Sequence, residues 1–159
     1  MTISVATLMV FLGVIHVQSS LSRPVGGTVT VEVHLVPHSH CDAGWLITDE
    51  DHFRREVRVA LDSIVASLSL LTNPTYRFVW AETIWLQKWI ATSDNSSVQA
   101  LRTLVQSGQI EIIGGGWTMN DESVAEYRDV IEMITTGHEF LRQQGLSIVR
   151  LGWQIDMLR

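Results

Sequence analysis

Residues 30–45 read TVEVHLVPHSHCDAGW. The first part of this stretch, Thr30 to Val36, is a run rich in β-branched residues that Pro37 ends, which is typical of a β-strand. The polar residues that follow would lie at the C-terminal end of that strand. Residues two apart in an extended segment point to the same side, so His40 and Asp42 can reach a common point. The stretch therefore predicts a strand that leads directly into a candidate functional site.

Further along, the chain alternates between helical and strand patterns. Apolar residues recur at three- and four-residue spacing from Phe53 to Leu71, which predicts an amphipathic helix that Asn73-Pro74 ends. Three more apolar runs predict strands. These runs are Tyr76 to Trp80, Gln109 to Ile113 and Ile148 to Trp153.

The helices between these strands are marked by their ends. A helical stretch follows the second strand from about Glu82 to Ile90. Two later helices each begin with a capping box, in which a serine precedes Gln or Glu by three residues, and each is followed by a glycine. The boxes are Ser96 with Gln99 and Ser123 with Glu126, and the glycines are Gly108 and Gly145.

The resulting order of elements is βαβαβαβ, which predicts an α/β fold. Such alternation means parallel strands joined by crossover helices. An open doubly wound sheet and a β/α barrel share this pattern. Four strands cannot close a barrel, so the pattern by itself predicts a half-barrel or a small sheet.

Polar and glycine-rich segments follow every predicted strand. The C-terminal ends of parallel strands converge on one rim, where α/β proteins place their active sites. We therefore expect these residues to lie close together, and their convergence carries more weight than any one of them. They are His38, His40 and Asp42, then Glu82, then Gly114 to Trp117 with Asn120, Asp121 and Glu122, and finally Gln154 and Asp156.

The nitrogen and oxygen donors of His40 and Asp42 suit zinc. A hydrogen-bonded His–Asp pair that caps the next helix is the alternative. Asp156, just past the fourth strand, could be a helix N-cap, a third metal ligand, a nucleophile, or both of the last two. A retaining glycosidase keeps two carboxyl groups about 5–5.5 Å apart, and Asp156 could be one of them.

Several other polar positions are interpreted as structural. Glu82 is expected to be a hydrogen-bond partner rather than a catalyst, and His34 and His138 to be core or helix-packing residues. The Gly114–Gly116 run lacks the context of a phosphate-binding loop. It is expected to let the backbone pass close to something bulky, either Trp117 or substrate.

The overall composition is typical of a globular protein. Apolar residues make up 46% and charged residues 18% of the 159, which allows a buried core, and the net charge of -6 with no basic cluster argues against nucleic acid. Cys41 is the sole cysteine, so no disulfide can form within the chain.

The apolar run from Ile3 to Val17 is followed by small polar residues, which predicts a signal peptide over residues 1–22 and a linker over residues 23–29. The run is too short to span a bilayer comfortably, so no membrane span is expected. A buried N-terminal strand or an uncleaved anchor is the alternative. Asn95-Ser96-Ser97 fits the N-glycosylation pattern, which agrees with the secretory pathway.

Four ordered blocks of this sequence resemble the class II α-mannosidases, glycoside hydrolase family 38, with the lysosomal branch as the closer match. The first block is Val36 to Trp45, and the resemblance extends over Thr30 to Asp156. The other blocks are Phe78 to Glu82, Gly115 to Glu122 and Gly152 to Asp156.

The resemblance implies a seven-stranded, parallel β/α barrel-like catalytic domain, of which residues 30–159 would hold the first four βα units. It implies retaining hydrolysis of terminal α-mannosyl linkages in N-glycans by a lysosomal or secreted enzyme. His40 and Asp42 would be zinc ligands, Asp156 both a zinc ligand and the nucleophile, and Trp45 a stacking surface for mannose.

The sequence also departs from the family pattern. The family continues after its nucleophile with Pro-Phe-Gly-His, whereas Met157-Leu158-Arg159 stands here. The fourth zinc ligand and the general acid/base of the family have no counterpart, so the chain alone is expected to be inactive. Cys41 replaces a residue that is usually Asn or Asp and is expected to be a buried bystander.

Two alternatives compete with a mannosidase. A metal-dependent polysaccharide deacetylase also uses a His-x-Asp pair on a β/α barrel, although it has no need of the blocks around Trp117 and Trp153. The other alternative is a non-catalytic pseudo-enzyme that at most binds mannose.

Overall fold

The computed structural model describes residues 15–16, 34–71, 73, 75–120, 126–146 and 149–154. The chain divides into two compact units, Met1–Pro37 and His38–Arg159. The strands are β1 (Ile15–His16), β2 (His34–Leu35), β3 (Phe78–Trp80) and β4 (Ile110–Ile112). The helices are α1 (Asp49–His52), a π-helical turn (Phe53–Val57), α2 (Arg58–Leu70), α3 (Thr83–Thr92), α4 (Asn95–Gln106) and α5 (Tyr127–Gln143).

In the first unit, β1 pairs with β2 in antiparallel register, Ile15 opposite Leu35. The predicted strand Thr30 to Val36 is thus observed at its last residues only, and residues 30–33 lie outside the described part. Leu35 is 71% exposed and His34 is also exposed, so the expectation that His34 is a core residue is wrong. The predicted signal peptide falls mostly outside the described residues and stays a prediction.

The sheet of the second unit is parallel, as predicted. β3 and β4 pair with Phe78 opposite Ile110 and Trp80 opposite Ile112, and α3 and α4 form the crossover between them. The segment after β2 joins the other side of β3 through a parallel bridge from His38 to Val79. This β–α–β arrangement fits an α/β fold.

The predicted fourth strand, Ile148 to Trp153, is not observed, since the described residues 149–154 contain no strand. Among the described residues, one backbone hydrogen bond, from Gly114 N to Leu151 O at 2.8 Å, joins this segment to the end of β4. Gly114 and Gly115 have φ values of +63° and +67°. The backbone therefore leaves the extended conformation where a continued ladder would need it, and pairing stops.

The core of the second unit lies between the sheet and the helices. The helix predicted from Phe53 to Leu71 is observed from α1 to α2, and its apolar stripe is buried. β3 and β4 contribute buried residues on the same side, and α3 and α4 cover them. The buried side chains of this core are Phe53, Val57, Leu61, Ile64, Val65, Leu68, Phe78, Trp80, Trp85, Leu86, Trp89, Val98, Leu101, Leu104, Val105, Ile110, Ile112, Leu141 and Leu146.

The N-terminal caps differ from the predicted capping boxes. Asp94, not Ser96, is the N-cap of α4, because its carboxylate accepts a 2.9 Å hydrogen bond from Ser97 N and also suits the helix dipole. α5 begins at Tyr127 after Glu126, whose side chain makes no capping bond. Ser123, the predicted cap, lies outside the described residues.

The C-terminal caps agree with the prediction. Gly108 and Gly145, with φ values of +73° and +65°, follow α4 and α5. Each helix ends in the paired 6→1 and 5→2 hydrogen bonds of a Schellman motif, which requires this left-handed position. In α5 these bonds run from Leu146 N to Leu141 O and from Gly145 N to Arg142 O.

Candidate functional site

His40 and Asp42 lie in the segment that follows the parallel bridge to β3. His40 Nε2 is 3.4 Å from Asp42 Oδ1, and both side chains are partly exposed. The structure therefore brings together two of the three side chains that the sequence suggested as metal ligands. The third, Asp156, lies outside the described residues, as do Asp121 and Glu122. Within the described part of the chain, no group of three His, Cys, Asp or Glu side chains could hold a metal ion.

A buried carboxylate holds the segment that carries His40 and Asp42 in place. Glu82, the second residue after β3, is 1% exposed. The Ser39 hydroxyl donates a 2.6 Å hydrogen bond to Glu82 Oε2, and Cys41 N donates one of 2.9 Å to Oε1. The Ser39 oxygen also accepts a 3.0 Å bond from Ala81 N. The interpretation of Glu82 as a hydrogen-bond partner is consistent with these contacts.

This network orients the candidate ligands. Alternate residues of an extended segment point to opposite sides. Because the hydroxyl of Ser39 and the N–H of Cys41 are both turned towards Glu82, the intervening His40 and the following Asp42 remain at the surface.

Burial raises the pKa of Glu82 above its ordinary value. The hydrogen bonds from Ser39 and Cys41 oppose this shift, since they stabilise the ionised form. Burial has the larger effect, so a proton on the Glu82 carboxylate, or a positive charge close to it, is favoured.

Cys41 is placed as a neutral thiol. Burial, followed by the negative charge of Glu82, raises the pKa of Cys41 to about 12. Its backbone carbonyl accepts a 2.7 Å bond from Trp85 Nε1, which fixes the residue to α3. A metal ligand or reactive cysteine needs the thiolate, so these surroundings support the bystander interpretation.

Trp45 projects from the loop that follows Asp42. Its side chain is 75% exposed, and Gly44 before it has a φ of +84°. The loop that follows Asp42 therefore presents a large aromatic surface to solvent.

The glycine loop Gly114–Gly116 makes close backbone contacts to two helices, α3 and α5, while the expected approach to substrate stays a prediction. The first N–H groups of α3 donate to this loop and its neighbour, Thr83 N to Gly116 O at 3.1 Å and Ile84 N to Trp117 O at 2.9 Å. These contacts satisfy N–H groups that a helix start leaves unpaired.

Helix α5 crosses the other side of the same loop at Gly137. A Cβ atom on Gly137 would lie 2.7 Å from Gly116 C and 2.8 Å from Trp117 N. His138, the next residue, places Nε2 3.0 Å from Gly114 O. His138 is therefore a helix-packing residue, as predicted, and the bulky neighbour of the loop is α5.

Ser39 is the residue that sequence reasoning missed. It is 5% exposed and links the candidate ligand segment to both Ala81 and Glu82. The signal lay in the alternation along this segment, since an exposed His40 turns the preceding Ser39 towards the protein. Asn95, the candidate glycosylation position, is exposed as the first residue of α4.

Comparison with known proteins agrees with these features. The family described as "Glycosyl hydrolases family 38 N-terminal domain" matches residues 30–158. Alpha-mannosidase C of Dictyostelium discoideum is 37% identical over 141 residues, covering 89% of this chain and 12% of that protein. The alpha-mannosidase of Canavalia ensiformis is 39% identical over 140 residues, covering 82% of this chain and 14% of that protein. The chain thus spans about an eighth of the length of these relatives.

Solved structures share the fold. The alpha-mannosidase from Enterococcus faecalis V583 superposes with a TM-score of 0.64 at 23% identity, covering 77% of this chain and 13% of that one. Another family 38 protein from Enterococcus faecalis gives a TM-score of 0.59 at 21% identity, covering 76% and 14%. In the described part of this chain, no helix is long and apolar enough to cross a membrane. Because the family match covers residues 30–158, the chain belongs to glycoside hydrolase family 38, a glycosidase family, and matches its N-terminal domain.

Proposed function

We propose that this chain supplies the zinc-binding and nucleophile segment of a retaining α-mannosidase that hydrolyses terminal α-mannosyl linkages of N-glycans. The family assignment and the names of the relatives support the reaction class. The observation that carries the proposal is the separation of His40 Nε2 and Asp42 Oδ1, 3.4 Å.

This separation suits a shared zinc ion. Two ligand atoms that each lie about 2.1 Å from a tetrahedral metal are about 3.4 Å apart. One nitrogen and one carboxylate oxygen are also ligand types that zinc accepts. The residues present therefore fit the metal, with Asp156 proposed as the next ligand.

The chain's own residues take the remaining roles. Bound zinc would supply Lewis-acid polarisation and help to orient the sugar. Trp45 packs against the mannose ring from its exposed position. Asp156 is the nucleophile that attacks the anomeric carbon, and a second carboxyl group protonates the leaving oxygen and later activates water. By the resemblance, that second group lies outside these 159 residues.

The proposal includes a wider setting. Residues 1–22 are the signal peptide, residues 23–29 a linker, and residues 30–159 part of a seven-stranded β/α barrel-like domain. The protein enters the secretory pathway, is glycosylated at Asn95, and acts in the lysosome or outside the cell.

Zinc binding by the chain tests the metal site directly. We expect the wild-type chain to bind zinc in a calorimetric titration and His40→Ala and Asp42→Asn each to weaken binding at least tenfold. His34→Ala is the matched control, since it removes an exposed histidine of the first unit. Equal affinity in all four proteins would refute the site.

An exchange of segments tests the reaction. Residues 30–158 replace the matching segment of the Canavalia ensiformis alpha-mannosidase, and the chimera is assayed with an aryl α-mannoside. We expect turnover that Asp156→Asn abolishes, whereas the 159-residue chain alone shows none. Release of acetate from an acetylated glycan without release of mannose would favour a deacetylase. Binding of mannose without turnover would favour a pseudo-enzyme.

A further inference from the structure

A small cavity lies beside the glycine loop, at the C-terminal ends of β3 and β4. Its volume is about 90 Å³, and it is bounded by the backbone of Gly114, Gly116 and Gly152. Thr118, Asn120 and Trp153 also line it. The Trp153 ring packs edge-on against His38, with ring centroids 5.0 Å apart. The cavity therefore adjoins the segment that carries His40 and Asp42 without including either of them.

Two residues that line this cavity each carry a buried polar atom without a hydrogen-bond partner. Asn120 is 5% exposed, and its Oδ1 accepts no hydrogen bond; Trp153 Nε1 is buried and donates none, as far as the described residues show. Other buried indoles of the chain are satisfied, as Trp89 Nε1 is by Asp62 at 2.7 Å. Buried polar groups in folded proteins are nearly always paired, so two orphans at one cavity indicate a missing occupant.

The two orphans define the chemistry of that occupant. Asn120 Oδ1 needs a donor, and Trp153 Nε1 needs an acceptor. One hydroxyl group can do both, since its oxygen accepts from the indole while its proton goes to the amide. A carboxylate or phosphate would satisfy the indole and repel Oδ1, and an ammonium group would do the reverse. Complementarity therefore selects a neutral O–H group.

The size of the cavity limits the occupant further. At about 30 Å³ per molecule of liquid water, the space holds roughly three waters. It can equally admit the hydroxyl-bearing arm of a larger ligand. The polar lining and the two orphans satisfy the requirements for a stable buried water, which needs two to four polar partners.

We propose that this cavity is a hydroxyl-binding site, in which Asn120 Oδ1 and Trp153 Nε1 hold one O–H group between them. Water fills the site in the free chain, and a hydroxyl of a mannoside replaces it on binding. The statement that a mannoside hydroxyl replaces the water rests on the proposed function. The statement that water fills the site in the free chain does not.

The water arm is tested on the full 159-residue chain with ¹⁵N-labelled tryptophan. We expect magnetisation transfer from a long-lived water to the Trp153 indole proton, assigned by its loss in Trp153→Phe. Trp89, whose indole is paired, shows no transfer and is the internal control. Asn120→Leu removes the acceptor and abolishes the transfer, whereas Asn120→Asp keeps Oδ1 and preserves it, with circular dichroism checking the fold of each variant.

The sugar arm adds methyl α-mannoside in the presence of zinc. A shift of the Trp153 indole that Asn120→Leu abolishes identifies a sugar hydroxyl as the occupant. A water signal that persists while the Trp45 indole shifts identifies water as the sole occupant. If no indole moves but the water signal remains, the statement that a mannoside hydroxyl replaces the water is overturned and the statement that water fills the site stands. Absence of both the water signal and the sugar shift at Trp153 overturns the proposal.

Discussion

Ser39 and Glu82 are joined by a buried hydrogen bond of 2.6 Å, which connects the segment after β2 to the end of β3. The same carboxylate holds the Cys41 N–H at 2.9 Å. The residues after β3 and the segment that carries His40 and Asp42 can contribute to one site only if they are fixed relative to each other. Glu82 provides this connection through its bonds to Ser39 and Cys41.

Removing the Glu82 carboxylate is predicted to weaken both the fold and the metal site. Glu82→Ala leaves the Ser39 hydroxyl and the Cys41 N–H unpaired, at about 1–3 kcal/mol each. Glu82→Gln keeps an acceptor for Cys41 and costs less, about 1 kcal/mol, but misplaces Ser39. Glu82 holds the neighbours of His40 and Asp42 rather than the ligand side chains themselves, so we expect a loss of zinc affinity of about tenfold, the lower end of the range for groups that contact a ligand directly.

Thermal unfolding and zinc titration measure the two effects separately. Glu50→Gln, which alters an exposed carboxylate that pairs with Lys88, is the matched control and should leave zinc affinity unchanged. An unchanged zinc affinity in Glu82→Gln would show that Glu82 has no positioning role.

The contact between α5 and the glycine loop is predicted to tolerate no side chain. Gly137→Ala would place a Cβ within 2.8 Å of Trp117 N and 2.7 Å of Gly116 C, and neither backbone can move without breaking the bonds to α3. The higher helix propensity of alanine returns at most about 1 kcal/mol. Overpacking costs about 1–3 kcal/mol or more, so we expect a net loss of stability.

Urea unfolding of Gly137→Ala beside Gly152→Ala provides the comparison. A Cβ on Gly152 would meet no atom within 4 Å, so that variant should keep the wild-type midpoint. Equal midpoints for the two variants would contradict the packing described.

The parts of the fold predictable from sequence are those set by local pattern. The apolar runs at Phe78–Trp80 and Ile110–Ile112 predict strands, and Gly108 and Gly145 mark helix ends, because each signal lies within a few residues. The fourth strand fails because ladder pairing depends on the conformation of its neighbour. The positive φ of Gly114 stops β4 from continuing. The local pattern of residues 148–153 carries no information on the backbone conformation of that neighbouring strand.

The candidate site shows the same division. The two-residue spacing of His40 and Asp42 predicts that they face the same way, and their side chains are adjacent. The Ser39–Glu82 bond joins residues 43 positions apart, so it follows from tertiary packing and no spacing rule reveals it. Asp94 and Ser96 both lie near the start of α4, and the capping-box pattern predicts the wrong one of the two as its N-cap.

Cys41 is predicted to react slowly with thiol reagents in the folded chain. Because burial raises the pKa of its thiol to about 12, the thiolate that attacks such reagents is scarce at pH 8. Iodoacetamide labelling followed by mass spectrometry reports on this position alone, since it is the sole cysteine. Labelling in guanidinium chloride should be faster by orders of magnitude, and equal rates in the two conditions would show that the pKa of the Cys41 thiol is not raised in the folded chain.

The cap of α4 provides a pH-dependent prediction. Hydrogen bonds from the Ser96 hydroxyl and from Ser97 hold the pKa of Asp94 well below its ordinary value of 3.8. A carboxyl group whose folded-state pKa is lowered stabilises the fold above its unfolded-state pKa, and this contribution is lost as the pH falls through the lowered value. Asp94→Asn keeps a capping oxygen but no charge, so it should be less stable than the wild type at pH 7, and the difference should shrink as the pH drops below 3.8.

Ser96→Ala is the comparison, because Ser96 is the residue that a capping box would favour. It should cost less stability at pH 7 than Asp94→Ala, because Ser97 N still has its acceptor. Thermal unfolding of the four proteins between pH 2 and pH 7 measures these differences, and a Ser96→Ala loss as large as that of Asp94→Ala would show that Ser96 caps the helix.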